Sequence, residues 1–342
     1  MPEDKSDYLN AGPLLDERGE LIQSGYAFSQ EKQYSRAAVK GKKLRIKEWD
    51  YYYFGDDRVA VALTIADNSY MSLGSVSVLD FEHLQFTTKS KIGLLPMGKL
   101  KLPPACDSGD IVFEKGGVKI RFENKSGRRK LSCEYKNFDR KTDLACEINL
   151  EEYSGDNITV ATPFEKKRQF YYNTKINNLR GSGWLTFGDK RVEFHDAYGG
   201  LDWGRGVWPY KNVWYWSSLS TEVDGTSFGF NLGYGFGKPA ATENTLFYGG
   251  KAHKLQNVKF DIPYTLGKLD YLKAWKITDD EDRLSLTFFP MIDRTDKMKA
   301  LMLSTDQHQV FGKFYGRATL DDGTIISVEN KIGFAEHVKN NW

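Results

Sequence analysis

Arg58-Val59-Ala60-Val61-Ala62-Leu63-Thr64-Ile65 alternates strictly. Val59, Val61, Leu63 and Ile65 share one face while Arg58, Ala60, Ala62 and Thr64 take the other, which is the period of a strand with one buried side. The same period returns in Val118, Ile120 and Phe122, interleaved with Lys119, Arg121 and Glu123 directly after Gly116-Gly117. A glycine pair supplies the positive φ of a tight hairpin. Gly188-Asp189, Asp224-Gly225 and Asp322-Gly323 repeat that turn signal between further alternating or aromatic runs. A meander of antiparallel strands follows.

Helical evidence is thin, because no long window keeps apolar residues at three-and-four spacing with caps at both ends. Met291 to Leu303 is the best short helical candidate. A meander exposes edges, and closing it into a barrel removes them, so the chain is expected to be all-β and barrel-forming. Its 342 residues exceed one ordinary barrel and fit two domains. A loose echo supports duplication: Lys47-Glu48-Trp49-Asp50-Tyr51-Tyr52 and Trp214-Tyr215-Trp216 are each followed by a turn and an apolar strand. Pro163 and the charge run Lys166-Lys167-Arg168 mark the expected break at about residue 165. Residues 1–165 then form a first barrel with an N-terminal extension, and 166–342 a second barrel carrying the candidate site.

Lys plus Arg (48) and Asp plus Glu (46) nearly cancel, so no global field recruits nucleic acid or an anionic membrane. The basic clusters at Lys40–Arg45 and Lys166–Arg168 read as solvated turns. Three widely spaced cysteines, Cys106, Cys133 and Cys146, make neither a disulfide framework nor a zinc ribbon. His83, His195, His253, His308 and His337 lack ligand spacing, so no metal is expected. The acidic opening Met1–Asp7 has no apolar run after it, and no stretch reaches the ~18 apolar residues of a membrane span. The expected location is the cytoplasm. Aromatics at 14% suit broad strands lining a cavity, which leans towards a ligand-holding β fold.

Several motifs together resemble the family called domain of unknown function 2804. They are Leu14-Leu15-Asp16-Glu17-Arg18-Gly19, Ile46-Lys47-Glu48-Trp49-Asp50-Tyr51-Tyr52, Gly200-Leu201-Asp202-Trp203-Gly204-Arg205-Gly206 with Trp214-Tyr215-Trp216, and Phe230-Asn231-Leu232-Gly233. Glu243-Asn244, the Phe311 to Gly316 segment and Gly333-Phe334-Ala335-Glu336-His337 complete the match over nearly the whole chain. A more distant likeness, resting on a glycine, an acidic residue and a Trp-Gly pair, is to the AttH-like and carotenoid hydratase group. The resemblance implies two lipocalin-like (calycin) antiparallel β-barrels in tandem and a hydrophobic ligand. It carries no activity with it.

Asp202-Trp203-Gly204-Arg205-Gly206 gathers a carboxylate, an indole and a guanidinium on a backbone that turns freely. In a pocket, Asp202 would be a general acid and Arg205 would orient a substrate oxygen, with His195 and Tyr198 as further proton-transfer groups. The same letters also describe a barrel plug, with Arg205 stacked on Trp203 and paired to an acid. Trp208, Trp214 and Trp216 offer planes that could hold a developing cation or stack on a sugar. Asn231 and Glu243 are polar where an apolar core would be simpler, and Glu336-His337 is a second acid/base candidate. The reading that follows is a hydratase, isomerase or cyclase acting by acid/base chemistry on a hydrophobic or polycyclic small molecule in a barrel cavity, without a cofactor. A non-catalytic carrier of apolar ligands and a carbohydrate-active protein using Trp platforms are the alternatives.

Overall fold

The computed structural model describes residues 7–125, 127–237, 242–300 and 303–342, so the opening segment 1–6 lies outside the described residues. Among the described residues strands dominate and no α-helix occurs. None of these residues forms a helix long and apolar enough to cross a membrane. The helix expected at Met291–Leu303 is instead the end of a hairpin in which Leu284–Ala300 pairs with Leu303–Thr319. Pro290, which cannot donate to a ladder, sits where the register shifts between Pro290 and Ile292. A bulge accommodates it, and the strand continues.

The first sheet has twelve strands. From the free edge its order is Gln85–Leu94, Met71–Asp80, Val59–Asp67, Ile46–Gly55, Lys190–Val207, Phe170–Phe187, Thr142–Leu150, Arg128–Asp139, Val118–Lys125 and Ile111–Lys115, with Ile158–Pro163 and Gly25–Ala27 attached beside Phe170–Phe187. It curls until Ile111–Lys115 meets Val59–Asp67 and Met71–Asp80. Closure is tight enough that a Cβ on Gly74 would lie 2.2 Å from Phe113. Val61, Leu63 and Ile65 point into this barrel with Ile120, Phe122 and Ile148, as the alternation predicts. Ala60 and Ala62 point outward and are nonetheless buried.

The second sheet has nine strands, running Lys251–Lys254, Thr245–Tyr248, Thr226–Tyr234, Lys211–Val223, Ile325–Asn341, Leu303–Thr319, Leu284–Ala300, Trp275–Asp279 and Val258–Asp261. Phe228, Phe230, Trp275, Phe288 and Phe314 fill its interior. The two sheets pack through outer faces, where Tyr51, Tyr53, Ala60, Ala62 and Phe81 meet Trp216, Ile292, Phe311 and Phe334. Outer faces therefore read as buried strands.

The sheets part between Val207 and Lys211 rather than at residue 165. Lys190–Val207 pairs with Ile46–Gly55 from Tyr198↔Gly55 to Val207↔Ile46, which ties it and its hairpin partner to the N-terminal strands. Pro163 merely ends one strand. The Asp202 block thus belongs to the first sheet.

Leu201, Trp203 and Val207 lie in the first core, and Arg205 follows them on that face. Trp203 and Arg205 are fully buried, with the guanidinium carbon 4.1 Å over the indole. Arg205 Nη2 donates to Asp50 Oδ1 at 2.9 Å and to the Pro103 carbonyl at 2.8 Å. Its Nη1 donates to the carbonyls of Trp49 (2.7 Å) and Gly204 (2.9 Å). Burial raises the pKa of Asp50 and the guanidinium opposes that shift. Replacing Arg205 by alanine strands a buried carboxyl, so stability to chemical denaturation should fall by about 3–5 kcal/mol. Arg205→Lys should recover only part of it, because an ammonium cannot fork between four acceptors.

Candidate active site

A cavity of about 430 Å³ lies between the two sheets. Its walls come from the outer faces of both barrels, so the expected cavity inside one barrel is replaced by one at their junction.

The first sheet supplies an ion pair. Asp202 faces away from Trp203 and Arg205 because neighbours on a strand point in opposite directions. Register puts Lys175 and Tyr51 directly beside it on the two flanking strands. Lys175 Nζ lies 2.9 Å from Asp202 Oδ1, which also accepts from Asn173 Nδ2 at 2.6 Å. Gly204 and Gly206 share that face, opposite Asn173 and Tyr171. A Cβ on Gly204 would stand 2.0 Å from the Trp49 ring, so glycine there lets the indole lie flat on the strand. The same close approach brings Trp208 against Gly206.

The second sheet supplies a buried carboxyl group with a raised pKa. Glu336 Oε1 accepts from Trp214 Nε1 at 2.7 Å and its Oε2 from Gln309 Nε2 at 3.0 Å. Burial pushes its pKa up to about 7, against the opposing pull of the Trp214 hydrogen bond, Arg294 and Lys175. Gln309 Oε1 accepts from Arg294 Nη2 at 2.5 Å and Tyr51 OH at 3.3 Å. One amide thereby links the two sheets across the cavity wall. Trp49, Tyr171, Trp208, Trp214, Trp216 and Phe236 give the cavity its aromatic surface. Tyr171 stacks on Phe236 with centroids 5.2 Å apart, and Lys175 Nζ lies 3.9 Å over the Trp216 ring.

Of the residues expected from sequence, Asp202, Glu336, Trp208, Trp214 and Trp216 come together at this cavity. Asn231 and Glu243 sit behind it. Asn231 Oδ1 accepts from Trp216 Nε1 at 2.7 Å and its Nδ2 donates to Glu243 Oε1 at 3.1 Å, while Glu243 Oε2 accepts from Tyr171 OH at 3.2 Å. They position two rings, and burial raises the Glu243 pKa. Trp203 and Arg205 lie on the opposite face, sealed in the first core, which removes Arg205 as a substrate contact. His195 is exposed on another stretch of that strand, and Tyr198 OH donates to Glu222 at 3.1 Å, so neither borders the cavity. His337 faces away from Glu336 into the second barrel, where its Nδ1 is hydrogen-bonded to Tyr271 OH at 2.8 Å.

Sequence reading misses Lys175, Asn173, Tyr171, Gln309 and Arg294. The usable signal was Asn173-Thr174-Lys175 within the strand Phe170–Phe187, a polar run that is buried on both faces. Beneath Asp202 and Lys175 a crevice of about 10 Å³ is lined by Asn177, Ser218, Ser220 and Asn231. It has the polarity and about the room for one water. Among the described residues, metal-type ligand atoms gather only at Asp80–Glu82–His83 and Asp279–Asp280–Glu281, neither of which lines the cavity.

The unfolded pKa of Glu336 lies near 4.5 and the folded one at about 7, so the native chain holds this proton more tightly between them. Its stabilising effect is present at low pH and is lost as pH rises through about 7. Glu336→Gln cannot ionise. Relative to the unaltered chain it should therefore gain up to about 3 kcal/mol between about pH 5 and pH 8, read from paired denaturant titrations.

The chain belongs to the family described as domain of unknown function (DUF2804), whose model matches residues 6–342. No curated protein gives a significant sequence match. Among solved structures, a protein from Nitrosomonas europaea bearing the AttH designation is similar at 12% identity and a TM-score of 0.53, over 89% of this chain and 96% of its own. Kievitone hydratase from Nectria haematococca is similar at 10% identity and a TM-score of 0.50, over 98% of this chain and 96% of its own. At such identities the likeness is one of fold, and that fold is the tandem lipocalin-like pair of barrels.

Proposed function

We propose that this DUF2804 protein is an acid/base enzyme of the hydratase, isomerase or cyclase type, acting on a hydrophobic small molecule held between its two barrels. The observation that carries this reading is Glu336, a buried acid on the wall of an aromatic cavity whose other wall presents the Lys175–Asp202 pair. A group with a pKa near the working pH is the most effective proton donor. A hydratase by name shares the fold, which is compatible with the reading but adds little to it at 10% identity.

In a hydration, neutral Glu336 gives its proton to one alkene carbon. The electron-rich faces of Trp214, Trp216 and Trp208 stabilise the positive charge that develops on the neighbouring carbon. A water from the crevice beside Asp202 bonds to that carbon through oxygen. Asp202, held as an acceptor by Lys175 and Asn173, takes the water's surplus proton. Return of that proton to Glu336 closes the cycle with one water added. Isomerisation needs the same two groups, with Asp202 removing a carbon-bound proton instead. Asp202 thus acts as base rather than acid, and Lys175 has the orienting role first expected of Arg205.

The test is incubation with a panel of apolar alkenes in ¹⁸O-labelled water, followed by mass spectrometry for products that gain one labelled water or rearrange without mass change. Glu336→Gln should lower kcat by about 10²–10⁴-fold while ligand binding survives. The alkaline limb of kcat/KM, centred near pH 7 in the unaltered enzyme, should vanish in that variant. A folded Glu336→Gln protein with full turnover would sink the proposal. Tight binding without any turnover, indifferent to Asp202→Asn, would mark a carrier.

A further inference from the structure

The free edge of the first sheet is both apolar and basic. Between Leu84 and Cys106 the sequence has no acidic residue, yet it carries Lys89, Lys91, Lys99 and Lys101. Ile92, Leu94, Leu95 and Met97 stand exposed among them, Leu94 at 84%. Among the described residues none of the four lysines has a carboxylate partner. Leu95, Met97 and Lys101 adopt φ values of 48°, 52° and 51°, a region unfavourable for such side chains, and the turn they form holds Leu95 and Met97 out in solvent. Thr88, Ser90 and Ile92 of the same edge strand line the cavity, and all three are at least partly exposed. The mouth of the cavity therefore opens at this edge.

We infer that the edge formed by Gln85–Leu94 and the turn through Lys101 docks onto the surface of an anionic lipid bilayer, so that the cavity opens towards molecules dissolved in the membrane. Charge complementarity selects this occupant. Lysines without protein partners each gain on the order of 1 kcal/mol, about fivefold in partitioning, near an anionic leaflet. The apolar tips between them bury in the interfacial layer while the lysine stems extend along it. A strand from another protein is a poorer fit, since lysines along an edge oppose strand addition. This surface deepens the proposed function by naming where an apolar substrate comes from, but vesicle binding is measured without turnover, so either idea can fail alone.

The full chain is sedimented with vesicles of phosphatidylcholine and with vesicles in which part of the lipid is phosphatidylserine. Binding is expected only to the anionic vesicles, and it should weaken as salt is raised. Changing Lys89, Lys91, Lys99 and Lys101 together to glutamine should reduce it by roughly several hundredfold. Changing Leu94, Leu95 and Met97 to serine should reduce it at least about tenfold. All seven positions are exposed or half-exposed, and an unchanged near-ultraviolet circular dichroism spectrum establishes that each variant is folded. Absence of binding to anionic vesicles, or binding unaffected by both variants, overturns the inference. Self-association that the serine variant abolishes, without vesicle binding, overturns it in favour of an interface between copies.

Discussion

Neighbouring residues of Lys190–Val207 must leave the strand in opposite directions, and neither direction leads to water at its C-terminal half. One side is the first core. The other is the second sheet. Polar groups on both faces therefore need partners inside the protein. Arg205 finds Asp50 and three carbonyls on the core side, while Asp202 finds Lys175 and Asn173 on the junction side. A one-residue slip in register would send a guanidinium into the cavity and an aspartate into apolar packing. The lock between Arg205, Trp203 and Asp50 thus fixes where Asp202 points, although it touches no part of the cavity.

The electrostatics of the cavity follow from how the charges are shared. Lys175 is held against Asp202 at 2.9 Å. Arg294 is engaged by Gln309 and by Ser77. Both cations lower the Glu336 pKa, and desolvation still outweighs them. The acid stays weak because burial costs its charged form more than the two cations and the hydrogen bonds return. Glu336 sits in a desolvated niche and Asp202 in an ion pair, so the two carboxyl groups of the cavity have unlike environments.

Much of the fold was legible because alternation and turn chemistry are local. Val61, Leu63 and Ile65 face the core as their spacing requires, and Gly116-Gly117 falls in a hairpin turn. The division at 165 was misplaced because strand pairing is not local: nothing in Phe170–Val207 says that its partner is Ile46–Gly55. The block Asp202–Gly206 left a pocket and a plug open; Arg205 stacks on Trp203 and pairs with Asp50 in the core, while Asp202 faces the cavity from the opposite side of the strand. Its glycines mark the face on which Trp49 lies, a packing role that needs the partner strand to be seen. Lys175 and Gln309 escaped because a lone lysine or glutamine in a strand usually reads as solvent-facing. Here their faces are covered by the other barrel.

Aromatic and aliphatic side chains form the cores of both barrels. The cavity of about 430 Å³ lies at their junction instead, where two convex sheet surfaces meet well only over part of their area. Tyr53, Phe311 and Phe334 close the contact on one side, and the gap widens towards the free edge at Gln85–Leu94. Each sheet holds its groups on hydrogen-bonded strands, which is a stiffer mount than loops provide. The polar groups of the cavity wall are divided accordingly, with Lys175 and Asp202 on one barrel and Glu336, Gln309 and Trp214 on the other. Neither barrel alone encloses the cavity. The bond between Tyr51 and Gln309 and the packing of Tyr51 against Trp216 therefore do more than join two domains: they set how far Asp202 and Glu336 stand apart across the cavity.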